Sequence, residues 1–405
     1  MPRSALTTER GAARAKWFAP LLAAVAIALL PGAALAAGGM TGMKGMPRPE
    51  LGTSAAFSPA GKLYAVGKQG EHVLLFRSDD AGATWLPPVT VNADPEAISA
   101  DGENRPKIAF AGDGGLLVSW TQPLGKPYSG AIRLARADDA EHFSAPLTVH
   151  RDRDEITHRF ESMLVAGDGR VVLAWIDKRD MEAAKATKVA YRGAAIYAAV
   201  SNDGGRSFAP ERKLADHSCE CCRIAAALDQ DGSPLFMWRH VFPPNERDHA
   251  LVRLNADGSP QRLERVTFDR WKIDGCPHHG PSLAVDGAGG RHAVWFNQKA
   301  GEGRVFYGRL VAGGVEGQRI VGGARAEHAD LAVAGRSVAL VWKEFDGEKI
   351  RLRAERSDDG GQTFRAIDLA STRAAADQPR VLVRGDALFA FWRTEAEGMR
   401  VFPIR

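Results

Sequence analysis

Ser78-Asp79-Asp80-Ala81-Gly82-Ala83-Thr84-Trp85 returns as Ser201-Asn202-Asp203-Gly204-Gly205-Arg206-Ser207-Phe208, and again as Ser357-Asp358-Asp359-Gly360-Gly361-Gln362-Thr363-Phe364. The shared pattern is Ser, any, Asp, any, Gly, any, Ser or Thr, aromatic. Each part has a physical job. The Asp carboxylate accepts hydrogen bonds from nearby amides and closes a tight turn. The Gly supplies the positive φ that the turn needs. The aromatic opens the next strand and packs inward. A short apolar run precedes each copy, such as Ala195 to Val200, so the unit reads as a β-hairpin with a braced turn.

A second pattern runs in register with the first: a strand, a Gly turn, and an apolar strand ending in Trp. It spans Lys107 to Trp120, Ser162 to Trp175, Ile224 to Trp238, Ser282 to Trp295, Asp330 to Trp342 and Arg380 to Trp392. A copy from Ala55 to Gly67 lacks the Trp. Seven units at this spacing predict an all-β chain, with about 50 residues in each four-stranded blade. The repeated Trp residues read as packing between blades. Met181 to Lys188 is the one stretch with helical character, and it reads as part of a loop. The last unit stops after its third strand, and a segment before Ala55 is expected to supply its fourth.

The eight-residue pattern resembles the Asp-box, or BNR repeat, of the sialidase superfamily. The resemblance implies a single β-propeller over residues 52–405, of seven blades or, as in sialidases, six. It also implies that Ser78, Asp80, Gly82, Trp85, Ser201, Asp203, Gly205, Phe208, Ser357, Asp359, Gly361 and Phe364 are structural and lie away from the binding face.

The N-terminus reads as a secretory signal. Arg3, Arg10, Arg14 and Lys16 precede an apolar run, and Ala34-Leu35-Ala36 has the small-x-small form of a cleavage site. Residues 1–37 are then a signal peptide and 38–51 a flexible lead-in, and the mature protein is periplasmic or secreted without a stable membrane span. The signal holds four basic residues and one acid, which leaves about +1 of the chain's +4. With no basic stripe, nucleic acid is excluded as a partner.

The loops entering the innermost strand of each unit should converge at the central mouth, where function sits on a rigid scaffold. They carry Arg105, Arg159, Arg223, Glu161 and His328, with Arg239 following a Trp. They also carry all four cysteines: Cys219, Cys221 and Cys222 at one entry, Cys276 with His278 and His279 at the next.

Two functions follow. The resemblance implies a sialidase-like glycoside hydrolase acting on anionic sugars, in which several Arg hold a carboxylate bidentately. Arg105, Arg159 and Arg223 would be those holders, Glu161 the acid, and Tyr307 the nucleophile. Two departures count against it: Asn104-Arg105-Pro106 lacks the family's Arg-Ile-Pro, and no Tyr lies in the last two units. The other function is an exported propeller that binds a small-molecule, glycan or metal ligand at its mouth. Cys219, Cys221, Cys222, Cys276, His278 and His279 would hold copper or zinc. Alternatively the four Cys form disulfides, as an exported chain with an even count allows.

Overall fold

The computed structural model describes residues 50–275, 277–299 and 302–405. The signal segment 1–37, most of the lead-in and Cys276 lie outside the described residues. The described part belongs to one unit, Gly45–Arg405.

The chain is all-β, with antiparallel sheets that follow the sequence repeats. The innermost strands are Thr53–Phe57, Lys107–Phe110, His158–Val165, Ala225–Leu228, Ser282–Val285, Ala326–Ala334 and Arg380–Arg384. Each starts a meander of neighbouring strands. No sheet closes into a barrel. Instead, each innermost strand touches the next, and Arg380–Arg384 returns to Thr53–Phe57. This is propeller architecture, which protects strand edges by radial repetition. The third and fourth units share one sheet, because Ser218 pairs with His240.

The turn glycines Gly114, Gly169, Gly232 and Gly289 sit at φ between +82° and +86°, a region costly for any side chain. The repeated tryptophans 120, 175, 238, 295, 342 and 392 are all buried, 2% exposed or less. Each joins the apolar layer between two units. Trp175, for example, packs with Leu117 and Leu134 of the preceding unit.

The three Asp-boxes share one geometry. In the second, Asp203 Oδ1 accepts from Ser201 Oγ at 2.6 Å and from the Ser207 amide at 2.9 Å, while Ser201 Oγ accepts from Gly205 N at 2.8 Å. The same bonds recur at Asp80 and Asp359. Each box leans on the preceding unit. A Cβ at Gly205 would stand 2.8 Å from Leu117, and one at Gly82 would stand 2.6 Å from Val401 in the last unit. Phe208, Phe364 and Trp85 complete these seams.

One expectation is corrected. Residues 179–186 form a helix, Arg179–Ala186, with no buried residue. It is held at its start by Asp177, which accepts from the Arg179 amide at 3.0 Å. Among the described residues the last sheet has three strands, and Thr53–Phe57 serves as the innermost strand of the first unit, paired with Leu63–Gln69; the rest of the segment expected to close the last unit lies outside the described residues. Side chains also tie the first unit to the last: Thr53 N–H donates to Asp377 Oδ2 at 3.0 Å, and Arg393 Nη1 donates to Thr53 Oγ1 at 2.9 Å.

Candidate functional site

The entry loops do meet. Glu103, unremarked in the sequence, ties three of them together. Its carboxylate accepts from the Arg223 amide at 2.8 Å and from the Gly280 amide at 2.8 and 2.9 Å, and it lies 4.0 Å from His328 Nδ1. It is only 3% exposed. No local pattern marks it, because every partner comes from another unit.

Most of the expected ligand-binding arginines are consumed by the scaffold. Arg105 makes a bidentate pair with Asp377, at 2.6 and 2.7 Å, and donates to Thr53 O and Gln378 Oε1. Arg223 donates to the Pro281 and Ala329 carbonyls. Arg239 donates to the His279 and Phe296 carbonyls and lies over the Trp271 ring. These three guanidinium groups are engaged largely by buried carbonyls and carboxylates of the scaffold, with Arg223 Nη1 and Arg239 Nε left without a hydrogen-bond partner. Arg159 alone of these arginines lines the mouth cavity, 3.5 Å from Asp101.

The catalytic candidates are displaced as well. Tyr307 is buried beside the third Asp-box, its Oη 2.7 Å from His292 Nδ1 and its ring against Phe364. Burial pushes its hydroxyl up to about 12, the wrong direction for a nucleophile. Glu161 is buried below Phe160, and its Oε2 accepts from Thr121 Oγ1 at 2.9 Å. Burial raises its carboxyl above the ordinary range and lowers Lys107, while the attraction between the two opposes both shifts. Neither Glu161 nor Tyr307 lines the mouth cavity.

That cavity, about 590 Å³, is lined by the second, third and fourth units and by His278 at the entry of the fifth. Pro123, Leu124, Pro127, Tyr128 and Phe160 form an apolar side; Lys126, Arg159, Lys178 and His278 bring cationic or ionisable groups, balanced by Asp101 and Glu220. Tyr128 is 76% exposed, so its ring face is open. Phe160 holds a φ of +59° at a bulge between the first two strands of its unit. Bulges of this kind re-aim side chains at sheet rims.

Cys221 is part of the cavity wall, and behind it stands a cluster of three buried thiols. Cys219 Sγ lies 3.9 Å from Cys221 Sγ and 3.8 Å from Cys222 Sγ. A disulfide bond is about 2.05 Å long, so none joins these three to one another. The segment is pinned by Cys219 N–H donating to Arg239 O at 2.9 Å. It packs with Trp238, Ile196 and Phe236. Arg247 Nη1 reaches Cys219 Sγ at 3.6 Å. Hydrogen bonding to Cys219 and burial push the Cys222 thiol well above its ordinary value.

The two expected histidine ligands part company. His278 is exposed, takes a φ of +54° and lines the same cavity as Cys221. His279 stacks on Phe296 at 4.2 Å and on His328 at 4.4 Å. The left-handed backbone at His278 turns the two neighbours apart. His328, expected at the ligand, instead joins His279 and Glu327 in a second group of potential ligands.

No protein-family model matches the chain, and no curated protein matches it. Solved structures do resemble it. A PL25 ulvan lyase bound to -[GlcA(1-4)Rha3S]- aligns with a TM-score of 0.57 at 14% identity, covering 86% of this chain and 91% of its own. A protein of unknown function from Dyadobacter fermentans aligns at 0.54 and 14% identity, covering 74% and 94%. The NanB sialidase of Streptococcus pneumoniae aligns at 0.45 and 10% identity, covering 73% and 65%. At such identities the likeness to the lyase and the Dyadobacter fermentans protein is one of fold alone. Fold alone does not carry activity. Among the described residues, no helix is long and apolar enough to cross a membrane.

Proposed function

We propose that this is an exported, seven-bladed sialidase-like propeller that binds a copper or zinc ion through Cys219, Cys221 and Cys222 at the wall of its mouth cavity. The sulfur spacing carries the reading. At a metal–sulfur bond of about 2.3 Å, thiolates stand about 3.8 Å apart around a tetrahedral ion and about 4.0 Å around a trigonal one. The two measured separations, 3.9 and 3.8 Å, fall at these values before any ion is added. Three sulfurs suit Cu(I), and three with one imidazole suit Zn²⁺. His278, on the same cavity, is the residue that would close a tetrahedral site. Cys276 is a further candidate by its place in sequence. Arg247 offsets the negative charge of bound thiolates. Metal uptake releases the thiol protons, so affinity rises with pH.

The experiment is metal analysis of the untagged, exported protein alongside a thiol count. About one ion per chain is expected, falling to background in Cys222→Ser. Trp238 shares the apolar cluster of the three cysteines, so Cu(I) binding should also change tryptophan emission. A metal-free protein that takes up neither ion, with its cysteines in disulfides, would overturn the proposal.

One observation favours a second reading. The cavity joins an open aromatic face, Tyr128, with Arg159, Lys178 and Lys126, a lining suited to an anionic sugar. The structurally similar lyase is described as bound to a glucuronate-containing sulfated glycan. Under this reading Tyr128→Ala and Arg159→Ala weaken binding of uronate or sialate oligosaccharides by roughly 10-fold each, about 1.4 kcal/mol. Titration calorimetry that finds no binding of either sugar class would remove it.

A further inference from the structure

We infer that His279, Glu327 and His328 form a second metal site, distinct from the cysteine cluster, that takes a borderline divalent cation such as Zn²⁺, Ni²⁺ or Cu²⁺. One potential ligand atom from each of the three lies within 4.8 Å of the others. His279 comes from the entry loop of one unit, and Glu327 and His328 from the start of the innermost strand of the next, so the folded scaffold brings them together without any local sequence motif. His328 Nε2 faces Glu327 Oε2 at 3.9 Å. The other carboxylate oxygen, Oε1, is 3.4 Å from Lys343 Nζ. That contact leaves Oε2 for an ion and orients it, as outer partners of metal ligands commonly do. Around a tetrahedral ion at about 2.1 Å, ligand atoms stand about 3.4 Å apart, so a small side-chain rotation completes the geometry.

Two further observations point to a ligand. His279 Nδ1 is buried and has no hydrogen-bond partner, whereas the unpartnered His328 Nδ1 lies on the other side of its ring, 4.0 Å from Glu103. Buried polar atoms are nearly always satisfied, and each exception calls for an explanation. The space enclosed by His279, Phe296 and His328 has no room for a water molecule. A bare cation held between ligand atoms needs no such cavity. The second observation is strain. His328 holds a φ of +53°, beside a register shift between Glu327 and Asp330. Side chains other than Gly rarely adopt that conformation, and it clusters at functional sites. Here it swings the imidazole onto His279. Glu327 remains partly exposed, which gives an ion a path from solvent.

The donor set selects the ion. Two imidazoles and one carboxylate suit borderline divalent metals. They are too few oxygens for Ca²⁺, and they lack the sulfur that Cu(I) prefers. The two proposed sites therefore differ in hardness and can be told apart by spectroscopy.

The test uses Co²⁺ alone as the probe, added to chelator-stripped, untagged, full mature protein under reducing conditions. Wild type should bind about two Co²⁺ per chain. One should give an intense near-ultraviolet thiolate-to-cobalt band, and the other only weaker visible ligand-field bands. Glu327→Gln and His328→Ala should each weaken the second component by roughly 10-fold or more and leave the thiolate band. Cys222→Ser should do the reverse. Glu327 is partly exposed, so its variant tests the site even if His328→Ala fails to fold. A Cys222→Ser protein that binds no Co²⁺, or a second component untouched by Glu327→Gln, would overturn the inference. Loss of the thiolate band alone in wild type would instead count against the cysteine site and leave this one standing.

Discussion

Glu161 and Lys107 are a buried pair whose ordinary charges the fold disturbs together. Both lose solvation, which raises the carboxyl and lowers the amine, and each is the other's main electrostatic support. Glu161→Gln removes that support, so the Lys107 amine should titrate at still lower pH, as NMR of the lysine side chain would show. A lysine held below its unfolded value binds fewer protons when folded, so its contribution to stability rises with pH across the interval between the two values. In Glu161→Gln that interval widens downward. Tyr307 offers a contrasting case. Tyr307→Phe should leave metal uptake unchanged and cost about 1–3 kcal/mol, because it strands the buried His292 Nδ1. Denaturant unfolding together with metal analysis separates these outcomes. If metal binding fell while stability held, Tyr307 would be more than a packing residue.

At the scale of the element, the Asp-box is a turn that its own eight residues build. Burial works to raise Asp203, but hydrogen bonds from Ser201, Ser207 and the Arg206 amide outweigh it and hold the carboxyl at about 2. Its contribution to stability is therefore full above the unfolded value of about 3.9 and is lost as pH falls toward 2. Asp203→Ala should lower the melting midpoint by roughly 2–4 °C at neutral pH, with the gap to wild type closing below pH 3. A gap that stayed constant across that range would mean the carboxylate charge is not what braces the turn. This element was legible in the sequence because its partners lie within four positions of one another. The strand meander was legible for the same reason, through Gly turns and buried Trp at fixed offsets. The mouth was legible only in location. Arg105 and Arg223 lie in entry loops and Arg239 just after a Trp, as the sequence indicates, yet their partners Asp377, Ala329 and Phe296 belong to other units. Residue type alone does not reveal whether a guanidinium is already spent. His278 and His279 show the same limit one step lower, since a single positive φ sends adjacent imidazoles to different neighbours.

For the whole molecule, the question is what holds the last unit against the first. The sequence suggested a borrowed strand; among the described residues the seam is an apolar layer of Leu63, Ala65, Leu382, Phe389 and Phe391, with a polar clasp at its mouth end. Arg105 is completely buried and Asp377 nearly so, and their two short hydrogen bonds bridge the entry of the second unit to that of the last. Asp377 also accepts from the Thr53 amide, so one carboxylate holds the first, second and last units together. A buried pair of this kind is costly to desolvate, and replacing both partners by apolar groups can be nearly neutral. Removing one partner is different, because it leaves a buried charge with no counter-ion. Asp377→Ala should therefore cost about 3–5 kcal/mol, while Arg105→Met with Asp377→Leu should recover much of that loss. Denaturant unfolding of the two variants decides the matter. If the seam is the point of closure, Asp377→Ala should also open the first and last units to hydrogen exchange before the third and fourth, which share a continuous sheet. Uniform exchange across all units would mean that closure is spread over every interface, and that Arg105 and Asp377 are one contact among many.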